Sequence, residues 1–164
     1  SDEQFTEAWM TGHAYSALNN GRIVYILSKL SETYRNSKTE QLKVTGQLTV
    51  EHLMPQAWVA HWLLSDGSRG INNPWSVPAD DPQALATRAR SAIVQTFGNL
   101  TLITGSLNSA ISNGAWATKR AAIEANSLLP INLQLRSAET WDEVAIERRG
   151  RDLLCRALKL WPRG

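Results

Sequence analysis

One cysteine in 164 residues, Cys155, leaves no partner for an internal disulfide. It also excludes the paired Cys-x-x-Cys knuckles of zinc ribbons. A reducing, cytoplasmic setting is the simplest expectation. No apolar run approaches the roughly 20 residues that span a bilayer, and no signal peptide opens the chain. No glycine-rich, phosphate-cradling loop is present, so nucleotide chemistry is not expected from these residues. Neither sign of charge dominates: 17 Lys and Arg against 15 Asp and Glu give a net charge of +2. That balance excludes the strongly basic class whose nucleic-acid binding is plain from charge alone. Internal repeats and low-complexity tracts are missing too.

What is there suits one domain with a substantial core: 43% hydrophobic and 20% charged residues. The seven tryptophans read as core and inter-helix anchors before they read as base-stacking platforms. Charge is uneven along the chain. Residues 1–80 hold six Lys/Arg against eight Asp/Glu, and residues 81–164 hold eleven against seven. Arg88, Arg90, Lys119, Arg120 and the Arg148–Lys159 segment could together contact phosphates. The chain opens on Ser1-Asp2 and enters helix-forming sequence at once, which suggests a domain cut from a longer protein.

Periodicity predicts a mostly helical α+β chain. Phe5, Ala8 and Trp9 mark one helical face; Ile23, Ile26, Leu27, Leu30 and Tyr34 mark a second, after the Asn-Asn-Gly break at 19–21. Residues 47–51 alternate as a short strand, and Leu100–Ile103 is a second. A short helix is expected over Gln56–Leu64, and residues 65–82 form a long irregular loop. Asp81-Pro82 caps a helix to about Thr96, Trp116–Ala125 is another, and Thr140-Trp-Asp-Glu143 fits a capping box before a helix to about Leu160. Cys155, among Leu153, Leu154 and Leu158, is expected to be a buried inert thiol.

The chemistry-bearing residues cluster in two segments. In QLTVEHLMPQ (residues 47–56), Glu51 and His52 stand side by side just before Pro55. In FGNLTLITGSLNSAISN (residues 97–113), Asn99 and Asn108 are nine apart. A neutral imidazole can take a proton from water, while a carboxylate and an amide oxygen can hold a hard divalent cation, Mg²⁺ or Mn²⁺. That set is the minimum for hydrolysing a phosphodiester. Neighbours on a strand point to opposite faces, so Glu51 and His52 can share one metal–water unit only where the strand ends or twists. His13 and His61 lack such company and read as solvated or structural.

EHLMPQ, then GNLTLITGSLNS, then Lys119, then W-x4-I-x2-R at Trp141–Arg149 together resemble the HNH nuclease domain at the C-terminus of GmrSD-type modification-dependent restriction enzymes. Related phage-defence proteins, including sensors of phosphorothioate-modified DNA, carry a similar domain, and the core looks like the HNH domain of RNA-guided CRISPR nucleases. The resemblance implies a ββα-metal (His-Me finger) core with two short strands surrounded by helices. It implies His52 as general base, Glu51 and Asn108 as metal ligands, Asn99 bracing the loop or orienting the histidine, and Lys119 on phosphate. Asn113 also follows the second strand; spacing favours Asn108. Residues 1–164 would form one nuclease domain: a helical part at 1–45, the core at 46–126 with an insertion at 57–96, and a C-terminal helical part at 127–164.

The implied function is a DNA nickase in restriction or anti-phage defence, leaving 5′-phosphate and 3′-hydroxyl ends. An upstream NTPase-like sensing domain of the same polypeptide would deliver it. The rival is a catalytically silent DNA-binding module of the same fold.

Overall fold

Ser1 caps the first helix in both directions. Its hydroxyl accepts from Gln4 N, the Gln4 side chain reaches back to the Ser1 backbone, and α1 runs Asp2–Thr11. The computed structural model describes residues 1–35, 46–105, 107 and 114–162. After the short α2 (Ala14–Ala17), Asn19 Oδ1 accepts from Arg22 N at 2.9 Å and opens α3 (Asn20–Glu32). Ile23, Leu27 and Leu30 of α3 are buried, as their spacing predicts.

Two strands pair antiparallel: β1 (Leu48–His52) and β2 (Leu100–Thr104), in a register from Leu48 opposite Thr104 to His52 opposite Leu100. Between them, Asp81 Oδ1 accepts from Ala84 N at 2.8 Å to cap α4 (Pro82–Ile93). The remaining helices are α5 (Trp116–Asn126), α6 (Pro130–Leu133) and α7 (Glu143–Leu160). The chain is thus α+β and mostly helical. Among the described residues no helix is long and apolar enough to cross a membrane.

The two-stranded sheet is covered on both faces. Leu100 and Leu102 join Trp9, Ile23, Leu27, Leu30 and Leu153 in one apolar cluster; Ile103 joins Leu53, Met54, Trp58, Trp116 and Ile123 in another. Burial on both sides explains why β2 reads as a continuous apolar run instead of an alternating one. Five of the seven tryptophans are buried; Trp75 and Trp161 are exposed.

Several expectations are corrected. Gln56–Leu64 forms only a 3₁₀ turn at Trp58–Ala60. Trp58 and Trp62 are both buried, and Leu63 bridges back to Arg69 through a tight turn where Gly67 has φ 82°. The α4 helix stops at Ile93, because the Thr96 hydroxyl bonds back to Ile93 O at 2.8 Å and closes a turn. Asp142, not Thr140, caps α7, accepting from Ala145 N at 2.8 Å. Glu143 instead pairs with the buried Arg90, Nη2 to Oε2 at 2.8 Å. Cys155 is exposed, because the buried stripe of α7 runs through Ile146, Gly150, Leu153, Leu154 and Ala157 and turns it outward.

Candidate active site at the end of the first strand

Strand alternation sends the two adjacent candidates to opposite sides. Leu48 and Val50 pack with the α3 and α7 cluster, and His52 follows them: its ring meets Tyr15 of α2 edge-on, with centroids 4.3 Å apart. Glu51 turns the other way, where its Oε1 accepts from Lys119 Nζ of α5 at 2.6 Å. The pairing does not break before His52, since Leu53 N still donates to Asn99 O at 2.9 Å. The Glu51 and His52 side chains therefore share a strand end but no hydrogen-bond partner.

Asn99 fixes that strand end. Its Oδ1 accepts from Met54 N at 2.8 Å and Trp141 Nε1 at 3.0 Å, and its Nδ2 donates to Met54 O at 2.8 Å and Val94 O at 3.0 Å. Two donors and two acceptors are all the amide possesses, so the buried side chain is fully used. It continues the β1–β2 ladder by one side chain and braces the turn into Pro55. It makes no bond to the imidazole.

Lys119 is wholly buried, and its ammonium also donates to His52 O at 2.6 Å. Burial lowers its pKa, opposed by the Glu51 carboxylate. The sequence expectation placed this lysine on a phosphate; its location instead makes it an internal partner of Glu51 and of the β1 backbone. Arg90 and Arg149 are likewise inside. Arg149 Nη1 donates to Gly98 O at 2.9 Å and Leu100 O at 2.7 Å, and burial pulls its pKa to about 10. These three residues therefore leave the phosphate-contacting group, because their charges serve carboxylates and carbonyls within the fold.

His52 is 7% exposed. Burial lowers its pKa to about 4, so the ring is neutral at pH 7. Its Nε2 lies 3.4 Å from Gln95 Oε1. Tyr15 and Gln95 carry no signal in the sequence, being 37 and 43 residues from His52 and outside the motif. Trp141 enters the sequence reading as the start of the W-x4-I-x2-R motif; its buried indole N–H, which needs an acceptor, finds Asn99 Oδ1. His13 and His61 are exposed. Asn108 and Asn113 lie outside the described residues.

A family model described as the C-terminal domain of GmrSD restriction endonucleases matches residues 1–155. The chain belongs to this family. No curated protein and no solved structure matches it. The GmrSD match begins at residue 1 and so takes in Tyr15 as well as the strand pair.

For the divalent cation that the resemblance implies, the described residues offer one hard oxygen donor group, the Glu51 carboxylate, with its side chain 13% exposed. Lys119 takes Oε1, leaving Oε2 as the atom suited to a cation. A cation of the Mg²⁺ kind takes few protein ligands and keeps several waters, so this donor chemistry fits. Among the described residues, no group of three or more His, Cys, Asp or Glu gathers around a common point.

Proposed function

We propose that this domain is a metal-dependent DNA endonuclease that nicks one strand and leaves 5′-phosphate and 3′-hydroxyl ends. The observation that carries the reading is a neutral imidazole, His52, held at a braced strand end with a carboxylate on the opposite face, in a chain of a restriction-endonuclease family. Glu51 and Asn108 would hold Mg²⁺ or Mn²⁺. When bound, the ion supplies positive charge for the phosphoryl oxygens and the leaving 3′ oxygen.

The chain's own residues do the rest. His52 accepts a proton from the water that attacks phosphorus, and its low pKa keeps it unprotonated for that step. Asn99 and Lys119 are positioning residues: one locks the backbone from His52 to Met54, the other fixes Glu51 Oε1 and the His52 carbonyl. Because Glu51 and His52 leave β1 on opposite sides, the scissile phosphate would have to bridge the strand end to meet both. An upstream NTPase-like sensing module of the same polypeptide would deliver the domain to modified DNA in the cytoplasm.

One observation favours a second reading, a silent DNA-binding module: Lys119 already neutralises Glu51, and His52 is largely enclosed by Tyr15 and Gln95. A plasmid-nicking assay with Mg²⁺ or Mn²⁺ separates the two. Wild type should open supercoiled plasmid only with metal, and His52→Ala should slow this by roughly 100-fold or more. Asn108→Ala should abolish metal stimulation. Equal nicking by His52→Ala would reject the base assignment, and plasmid binding without nicking would favour the silent module.

A further inference from the structure

We propose that Gln95 fixes His52 as its Nε2–H tautomer, which leaves Nδ1 as the nitrogen free to accept a proton. The proposal rests on the endonuclease reading for its catalytic meaning, but the tautomer itself is a property of the resting fold. An imidazole has two inequivalent nitrogens, and the hydrogen bond made by one decides which carries the proton. At His52 the only side-chain hydrogen-bond partner among the described residues is Gln95 Oε1, 3.4 Å from Nε2. A carbonyl oxygen only accepts, so the nitrogen facing it must donate. The contact is long for a hydrogen bond; its effect is to choose between tautomers more than to bind tightly.

The arrangement is held rigidly from several sides. Gln95 sits in the turn that ends α4, with its N–H on Ala92 O at 3.1 Å and its own carbonyl accepting from Tyr15 N at 3.2 Å. The preceding carbonyl, Val94 O, is bound by Asn99 Nδ2 at 3.0 Å. Tyr15 closes one side of the imidazole edge-on and limits its rotation. Asn99 cannot take this part, because all four of its hydrogen-bonding positions are occupied elsewhere. The residue that orients the histidine thus lies outside the EHLMPQ motif, in the segment leading into the second strand.

Long-range ¹H–¹⁵N NMR of the full chain, at mildly alkaline pH without metal or DNA, reads the tautomer directly. The His52 signals are identified by their loss in His52→Ala. Wild type should show Nε2–H. Gln95→Leu should shift the tautomer ratio about two- to fivefold toward Nδ1–H, the equivalent of a hydrogen bond at the weak end of the usual range. Gln95→Glu keeps an acceptor and should keep Nε2–H. An Nδ1–H ring in wild type or in Gln95→Glu, or an unmoved ratio in folded Gln95→Leu, overturns the proposal; should Gln95→Leu not fold, Gln95→Ala removes the same acceptor and supplies the deciding comparison. In the nicking assay Gln95→Leu should lower turnover about two- to fivefold at unchanged plasmid affinity. Undiminished turnover despite a shifted tautomer would remove Nδ1 from the reaction. A wild type that does not nick would defeat the endonuclease reading and leave the tautomer to the spectra.

Discussion

The two faces of β1 solve the same problem in opposite ways. On one, His52 is enclosed by an aromatic ring, an amide and the edge of an apolar cluster, and it survives burial by giving up its proton. On the other, Glu51 survives burial by acquiring a lysine, and the pair is closed by a third group, the His52 carbonyl. A single peptide bond separates the two residues, yet one environment removes charge and the other balances it. The separation is not complete: the Lys119 ammonium that balances Glu51 also helps to lower the pKa of His52, after burial. A pair that looks like a unit in the sequence is, in the fold, two half-sites meeting at a strand end.

The sharpest way to break this contrast is on the charged face. Lys119→Met should strand a largely buried carboxylate and cost about 3–5 kcal/mol in chemical denaturation, while Lys119→Met combined with Glu51→Leu should recover most of the loss. A double variant as unstable as the single one would show that the lysine acts through the His52 carbonyl and packing instead.

The neutral face should respond to acid. Because the folded pKa of His52, about 4, lies below its ordinary 6.5, the unfolded chain binds the proton more readily between those values. Stability from this group is therefore complete above pH 6.5, declines as pH falls, and reaches its full loss below about 4. The loss should approach roughly 3 kcal/mol. His52→Gln should flatten that part of the stability–pH curve. A curve of unchanged slope would mean the ring is more hydrated than its burial implies. The smallest effect belongs to the aromatic wall: Tyr15→Leu should cost about 1 kcal/mol in the same denaturation measurement.

Much of the frame was readable before any coordinates. The spacing of Ile23, Leu27 and Leu30 and the Asp81-Pro82 start of α4 follow from local rules of periodicity and capping, and both strands emerge within a residue or so of their predicted ends. The site was legible only in part. Asn99 stood out, but its four bonds to Met54, Val94 and Trp141 depend on packing that no spacing expresses. Lys119 stood out for the wrong task, because a sequence count of positive residues does not tell a solvated cation from a buried one; Arg90 and Arg149 misled in the same way. Cys155 misled because neighbours in a helical sequence are about 100° apart in space. Gln95 and Tyr15 were invisible, since they reach His52 through tertiary contact alone.

Gly98 ties these half-sites to the far end of the chain. A methyl group there would fall 2.2 Å from Ile146 O and 3.1 Å from Gly150 N, so bare backbone of the asparagine turn rests on bare backbone of α7. Trp9 adds a bond to Gly150 O at 3.1 Å from the first helix. Such a joint has no compressible padding. The turn that carries Asn99 and the last helix thus meet as two rigid surfaces, and neither can shift without moving the other.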